Sequence, residues 1–241
     1  MRKYLFILLA LLVFASCEEK EPQQYSLQRL NTVEENSADG STKRVSKYTY
    51  LDDGYLIRTT VNGTLTETCR LVFKDNLEIH TDSTVVDGAL QPGGTMTVYF
   101  RDNARSMVDS VVTRNPAGEK TVVEEYTYDG SGYTVITTEA GVKTKMRIYS
   151  SFYSTQTFQN YVYDTTAEDW KFVNKEETIS SYENDITIVT YYVDNLPKEK
   201  TVYQWLNGKM EFKSYLYDGE SSWALDTYGF YSYETIYYPL N

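Results

Sequence analysis

Acid–base chemistry on this chain must come from carboxylates, because histidine occurs once, at His80, while Asp and Glu together number 34. A glycoside hydrolase needs two carboxyls facing each other across a cleft, one as acid and one as nucleophile or base. The adjacent pairs Glu124-Glu125, Glu168-Asp169 and Glu176-Glu177 supply carboxylates. Neighbours in a strand point to opposite faces, so such a pair cannot act together from one strand. A single histidine also removes histidine pairs and zinc sites of the His-Glu-x-x-His kind. Gly130-Ser131-Gly132 lacks the spacing of a hydrolase nucleophile elbow, which makes Ser131 a turn residue. No catalytic residue, metal ligand or cofactor is expected.

Aromatic residues offer the better binding chemistry, since flat rings with polar edges suit sugar rings and extended chains. Trp170, Trp205 and Trp223 all fall in the C-terminal third, with Tyr231 and Tyr233 close behind, and these five are the candidate glycan contacts. The same residues would serve equally as cross-strand pairs that hold a sheet together. Around Tyr231 and Tyr233 the alternation puts aromatics on both faces, with Phe230 on the other side. Of the two cysteines, Cys69 reads as a small buried hydrophobe rather than a reactive thiol.

The elements that must position these residues are strands. Twenty-four tyrosines with few prolines favour pleated, half-buried surfaces, and no stretch carries a convincing 3.6-residue apolar period. Asn62-Gly63 and Asn207-Gly208 sit between strand-like runs, which is the strongest short hairpin signal. Asn184-Asp185, Asn115 to Gly118, Pro92-Gly93-Gly94 and Asp218-Gly219 mark further turns. Residues 45–73 and 123–151 form an internal repeat. Tyr48-Thr49-Tyr50 aligns with Tyr126-Thr127-Tyr128, Gly54-Tyr55 with Gly132-Tyr133, Thr59-Thr60 with Thr137-Thr138, Gly63 with Gly141 and Thr66 with Thr144. Each copy reads as one three-stranded meander. Tyr161 to Asp164, Tyr191 to Asp194 and Tyr215 to Asp218 echo the strand-end pattern at irregular spacing. The expectation is an all-β domain over residues 44–241, an antiparallel meander of repeated hairpins forming a large twisted sheet, sandwich or barrel.

At the N-terminus, Arg2 and Lys3 precede an uncharged apolar run from Tyr4 to Phe14, then Ala15-Ser16-Cys17 and the charged stretch Glu18-Glu19-Lys20-Glu21. This is a secretory signal peptide over 1–16, too short for a confident membrane span. Phe14-Ala15-Ser16-Cys17 resembles the lipobox of bacterial lipoproteins, which implies cleavage before Cys17 and lipidation of its thiol. Several acyl chains make such an anchor stable. The acidic run behind Cys17 resembles the export signal of Bacteroidota surface lipoproteins. That resemblance implies the outer membrane and the cell surface, with the periplasmic face as the other placement. Residues 17–43 show no sustained apolar period and are expected to form a flexible tether, with Tyr25 to Leu30 as its ordered part.

The Tyr-x-Tyr-Asp style of strand end resembles the tyrosine and aspartate repeats of RHS-type proteins and of uncharacterised Bacteroidota lipoproteins, a likeness that implies a fold but no catalytic residue. Asp82-Ser83-Thr84, Asp109-Ser110-Val111 and Asp164-Thr165-Thr166 resemble the Bacteroidota O-glycosylation sequon, which would place sugars on Ser83, Ser110 and Thr165. A formal charge of −11 disfavours nucleic acid and anionic headgroups. The function expected is a noncatalytic surface interaction or structural module held to the membrane by its N-terminal lipid. Its partner would be a polysaccharide or a protein. A glycan-binding accessory lipoprotein is the first alternative and a hydrolase the second.

Overall fold

In a computed structural model of the chain, residues 24–130 and 132–239 are described. Cys17 and Ser131 lie outside them. The first strands are β1 (Gln24–Ser37), β2 (Lys43–Leu51), β3 (Gly54–Val61) and β4 (Thr64–Lys74), followed by β5 (Leu77–Val86), β6 (Ala89–Phe100) and β7 (Val108–Arg114). Then come β8 (Lys120–Asp129), β9 (Gly132–Glu139), β10 (Val142–Phe152), β11 (Thr155–Asp164) and β12 (Asp169–Glu183). The last are β13 (Ile186–Val193), β14 (Leu196–Leu206), β15 (Lys209–Tyr217) and β16 (Trp223–Pro239). Each pairs with its sequence neighbours, and β1 pairs with β16, so the sheet, sandwich and barrel alternatives resolve to a closed barrel of sixteen antiparallel strands. The described residues divide into two units, residues 30–232 and residues 24–29 with 233–239. The first holds nearly all of the barrel. In the second, Arg29 pairs with Glu234.

Local chemistry explains the hairpins. Asn62 and Gly63 have φ of 49° and 83°, Asn207 and Gly208 have 50° and 75°, and Asn184 and Asp185 have 51° and 62°. Both central residues of a type I′ turn need positive φ, which Asn, Asp and Gly tolerate. One predicted turn is absent, because Pro92, Gly93 and Gly94 lie inside β6 and the actual turn is at Asp87-Gly88. The register of β5 against β6 slips opposite Pro92, where a missing N–H does no harm. A Cβ on Gly93 would stand 2.8 Å from the Asp82 carbonyl oxygen, and one on Gly94 2.4 Å from that of Arg114. The glycines are there for close approach of three strands, not for a turn.

The stretch expected as a tether holds a strand, because residues 24–37 are β1. Its polarity hid it, since Glu35 falls on one face of the sheet and Glu34 and Asn36 on the other. The strand is held by neighbours on both sides instead of by apolar burial. Val33 lies opposite Ser46 of β2, while Asn36 Nδ2 donates to the Tyr228 carbonyl and Ala38 N to that of Asp226.

Strand alternation and the registers divide the barrel wall into two faces. Leu71, Val111, Val135 and Phe212, with the buried hydroxyls of Thr59, Thr137 and Ser214, share one face, and the pair Thr97 and Val112 is buried on the other. In a closed barrel the occluded face is the concave one, so the first is the inner wall. Sixteen strands make a barrel too wide for side chains to fill. Accordingly Leu71, 2 % exposed, is the only fully buried large side chain among the described residues. Cohesion comes from the uninterrupted ladder and from cross-strand pairs on the inner face. Tyr48 and Tyr50 each lie 5.8 Å from Tyr55 across β2 and β3.

Candidate functional site at the barrel rim

The turns at 184–185 and 207–208 lie at the same end of the barrel. There Tyr182, Asp185, Thr187, Tyr203, Gln204, Trp205 and Met210 line a cavity of ≈ 440 Å³, within the range of ligand clefts (about 300–1,000 Å³). The left-handed turn Asn184-Asp185 aims Asp185 back at Tyr182, whose hydroxyl donates to Asp185 Oδ1 at 2.8 Å. That bond to a carboxylate pushes the Tyr182 phenol pKa up. Tyr182 is 71 % and Trp205 46 % exposed, so both rings present surface to solvent. Behind them the rows are tighter. Tyr203 lies opposite Phe212 and Trp205 opposite Met210, and Tyr231 packs 5.2 Å from Phe212 and 6.5 Å from Tyr203.

Of the five aromatics singled out from the sequence, the barrel therefore brings Trp205 and Tyr231 to this rim. Tyr233 belongs to the smaller unit. Trp170 and Trp223 sit at the opposite end and on the outer wall, each beside a cross-strand tyrosine, at 5.0 Å from Tyr163 and 5.2 Å from Tyr217. The Lys200 ammonium covers the Trp223 ring at 4.6 Å. For these two, sheet pairing describes the contacts. Tyr182, Asp185 and Tyr203 were not singled out. A tyrosine is one of 24 in this chain, and only the closure of β12–β15 distinguishes these.

Two further cavities open among charged side chains. One, ≈ 320 Å³, is lined by Thr59, Glu67, Cys69, Asp82 and Thr84 among others. Burial first, then hydrogen bonding to Asp82, pushes the Cys69 thiol up to about 12, so it stays a neutral thiol at physiological pH. The other, ≈ 250 Å³, contains Lys145, Arg147, Asn160, Asn174 and Glu176. Its charges are already paired, Lys145 Nζ with Glu139 Oε1 at 3.4 Å and Arg147 with Glu176. Arg147 donates to Asn160 Oδ1 and to Glu176 Oε2, both at 2.9 Å, and lies 4.3 Å over the Phe158 ring.

The carboxylate pairs divide as alternation requires. Glu124 faces inward and Glu125 outward; Glu176 joins Arg147 inside, while Glu177 pairs with Lys175 outside at 2.7 Å. Glu168 lies in the β11–β12 turn, and Asp169 Oδ1 accepts from the Trp170 amide at 2.7 Å. His80 lies 2.5 Å from Glu78 Oε1 on the inner wall. No group of three His, Cys, Asp or Glu suited to a metal exists among the described residues. Of the sequon residues, Thr165 is exposed in a turn, whereas Ser83 and Ser110 are half-buried within strands.

No family model and no curated protein matches the chain. Among solved structures it is similar to a porin-like protein from Bacteroides uniformis at 14 % identity and a TM-score of 0.52, covering 85 % of this chain and 96 % of that one. A protein of unknown function from Bacteroides fragilis aligns at 11 % identity over 67 % of this chain and 92 % of its own, but its TM-score of 0.26 carries no weight. The property shared with the porin-like protein is the fold, the antiparallel barrel.

Proposed function

We propose that this chain is a lipid-anchored barrel of the bacterial outer envelope whose strands do not cross the membrane, and that it works as a noncatalytic interaction module. The observation that carries this is the charge on its outer wall. Lys47 stands directly opposite Arg58 in mid-strand, and Glu125, Lys175, Glu177 and Lys213 occupy the same outward rows on other strands. A lysine or arginine facing lipid near the midplane costs about 2–4 kcal/mol, and membrane barrels carry an apolar band there instead. Four strands are also short, β7 with 7 residues and β3, β9 and β13 with 8, below the 9–11 or so that a tilted spanning strand needs, while the others reach that length.

On this reading the membrane is held by acyl chains on Cys17 alone, and the porin-like label of the neighbour speaks to barrel shape. Fractionation of cells expressing Cys17→Ala tests it. The wild-type chain should sediment with membranes and the variant should move to the soluble fraction. A variant that stays in membranes after a high-salt wash overturns the proposal.

A further inference from the structure

We propose that the rim cavity formed by β12–β15 is a subsite for a neutral sugar ring within a polysaccharide, a reading that deepens the interaction-module function and rests on it. Tyr182 and Trp205 supply exposed flat apolar surfaces. Around them stand a carboxylate at Asp185, a hydroxyl at Thr187 and a phenol at Tyr203. A ligand that satisfies this set needs an apolar face and, at its perimeter, groups that both donate and accept hydrogen bonds. Pyranose rings have that construction, with C–H groups on the face and hydroxyls at the edge. A purely apolar ligand would leave the polar groups dry and unpaired, which is costly.

Charge narrows the class further. Among the described residues no lysine or arginine lines the cavity, Asp185 stands in it, and the chain carries a formal charge of −11, so phosphorylated, sulfated or uronic-acid chains are repelled. The position at a rim matters too. A site built on hairpin turns at the mouth of a barrel accepts an internal segment of a long chain, whose two ends can leave freely. An aromatic site with one carboxylate also suits a quaternary ammonium ion in principle. Here Asp185 already accepts the Tyr182 hydroxyl, and the polar groups are spread around the perimeter, whereas an ammonium cage needs only rings and charge.

The test is isothermal titration calorimetry of the full-length protein in detergent micelles. The probes are neutral hexaoses of glucose, xylose and mannose, an oligogalacturonate as anion and choline as cation. At least one neutral hexaose should bind, the oligogalacturonate should not, and Trp205→Ala should weaken the binding at least tenfold. Asp185→Asn keeps a residue that tolerates the left-handed turn and should weaken it several-fold. Trp170→Ala and Trp223→Ala, at the far end, should leave it unchanged, which separates loss of the site from loss of the fold. Silence across the neutral probes, binding undiminished in Trp205→Ala, or choline bound in preference to sugar each overturns the proposal. None of these outcomes alters the fractionation result for Cys17→Ala, so the two readings fail separately.

Discussion

The two copies of the internal repeat share a frame and differ in what the frame holds. In β2–β4, Tyr48 and Tyr50 flank Tyr55 at 5.8 Å with interplanar angles of 46° and 53°. In β8–β10, Tyr126 and Tyr128 flank Tyr133 at 5.6 and 5.7 Å with 40° and 52°. The bulges match too, with Thr66 Oγ1 donating to the Thr59 carbonyl at 3.2 Å and Thr144 Oγ1 to that of Thr137 at 3.3 Å. On the third strand they part. Where the first copy has Cys69 beside Asp82, the second has Arg147 tied to Asn160 and Glu176. Repeated residues thus build wall geometry, and the unrepeated ones set the local charge of the interior. The loop between β6 and β7 touches both copies, with Arg105 4.7 Å over Phe73 and Arg101 4.9 Å over Tyr128.

If the frame is shared, breaking it should hurt both copies alike. A Cβ on Gly54 would stand 2.0 Å from the Leu71 carbonyl oxygen, and one on Gly132 2.3 Å from that of Tyr149, so backbone must move in either case. Gly54→Ala and Gly132→Ala should each cost about 3 kcal/mol in urea unfolding. A large loss in one and none in the other would break the equivalence. Where the copies differ, the effects should differ. Arg147→Met leaves Glu176, whose side chain is 23 % exposed, with only the neutral Asn160 amide at 2.8 Å in place of its cation, and should cost about 1–2 kcal/mol after allowance for solvent screening. Cys69→Ala strands no charge and should cost less.

A smaller effect distinguishes the second turn of each copy. Asn62 and Ala140 occupy the same position with φ of 49°, but alanine lacks the local hydrogen bonds that make this region tolerable. Asn62 Oδ1 also accepts from the Lys43 amide at 2.8 Å. Ala140→Asn should therefore raise stability by about 1 kcal/mol and Asn62→Ala lower it by about as much, read as opposite shifts in thermal midpoint.

The subtlest difference is in alkali. Cys69 is pushed from 9.0 up to about 12, and Tyr126 from 10.0 up to about 12, in both cases chiefly by burial. The folded state holds these protons more tightly than the unfolded chain. Their stabilising contribution is complete below the unfolded pKa and declines as pH rises through the folded one. Melting temperature should fall between pH 9 and 12, and in Cys69→Ala the fall should begin only above about pH 10, where the tyrosines take over.

Features set by a few adjacent residues were legible in the sequence. The Asn-Gly hairpins and the repeat followed from turn geometry and alternation alone. Barrel closure was not, because β1 shows polar residues on both faces and its pairing with β16 joins residues almost 200 positions apart, as in the bond from Asn36 to Tyr228. Pro92-Gly93-Gly94 misled because glycines that admit a neighbouring strand look the same in sequence as glycines that turn a chain. The tyrosine–aspartate echoes at Tyr161 to Asp164 and Tyr215 to Asp218 lie at the opposite barrel end from the repeated tyrosines, on the outer wall. Lys171 beside Asp164 and the Ser222 hydroxyl on Asp218, then the backbone amides these carboxylates accept as turn caps, hold both carboxyls down at about 2. The rim site could be half read, since Trp205 and Tyr231 stood out as aromatics while Tyr182 and Asp185 join them only through the fold.

Whether a charged outer wall keeps these strands out of the bilayer is decided by sedimentation velocity on residues 18–241 without detergent. A soluble species with β-type circular dichroism is expected, with no change in melting temperature when detergent is added. A protein that stays in solution only with detergent, or that melts far higher in micelles, would contradict it.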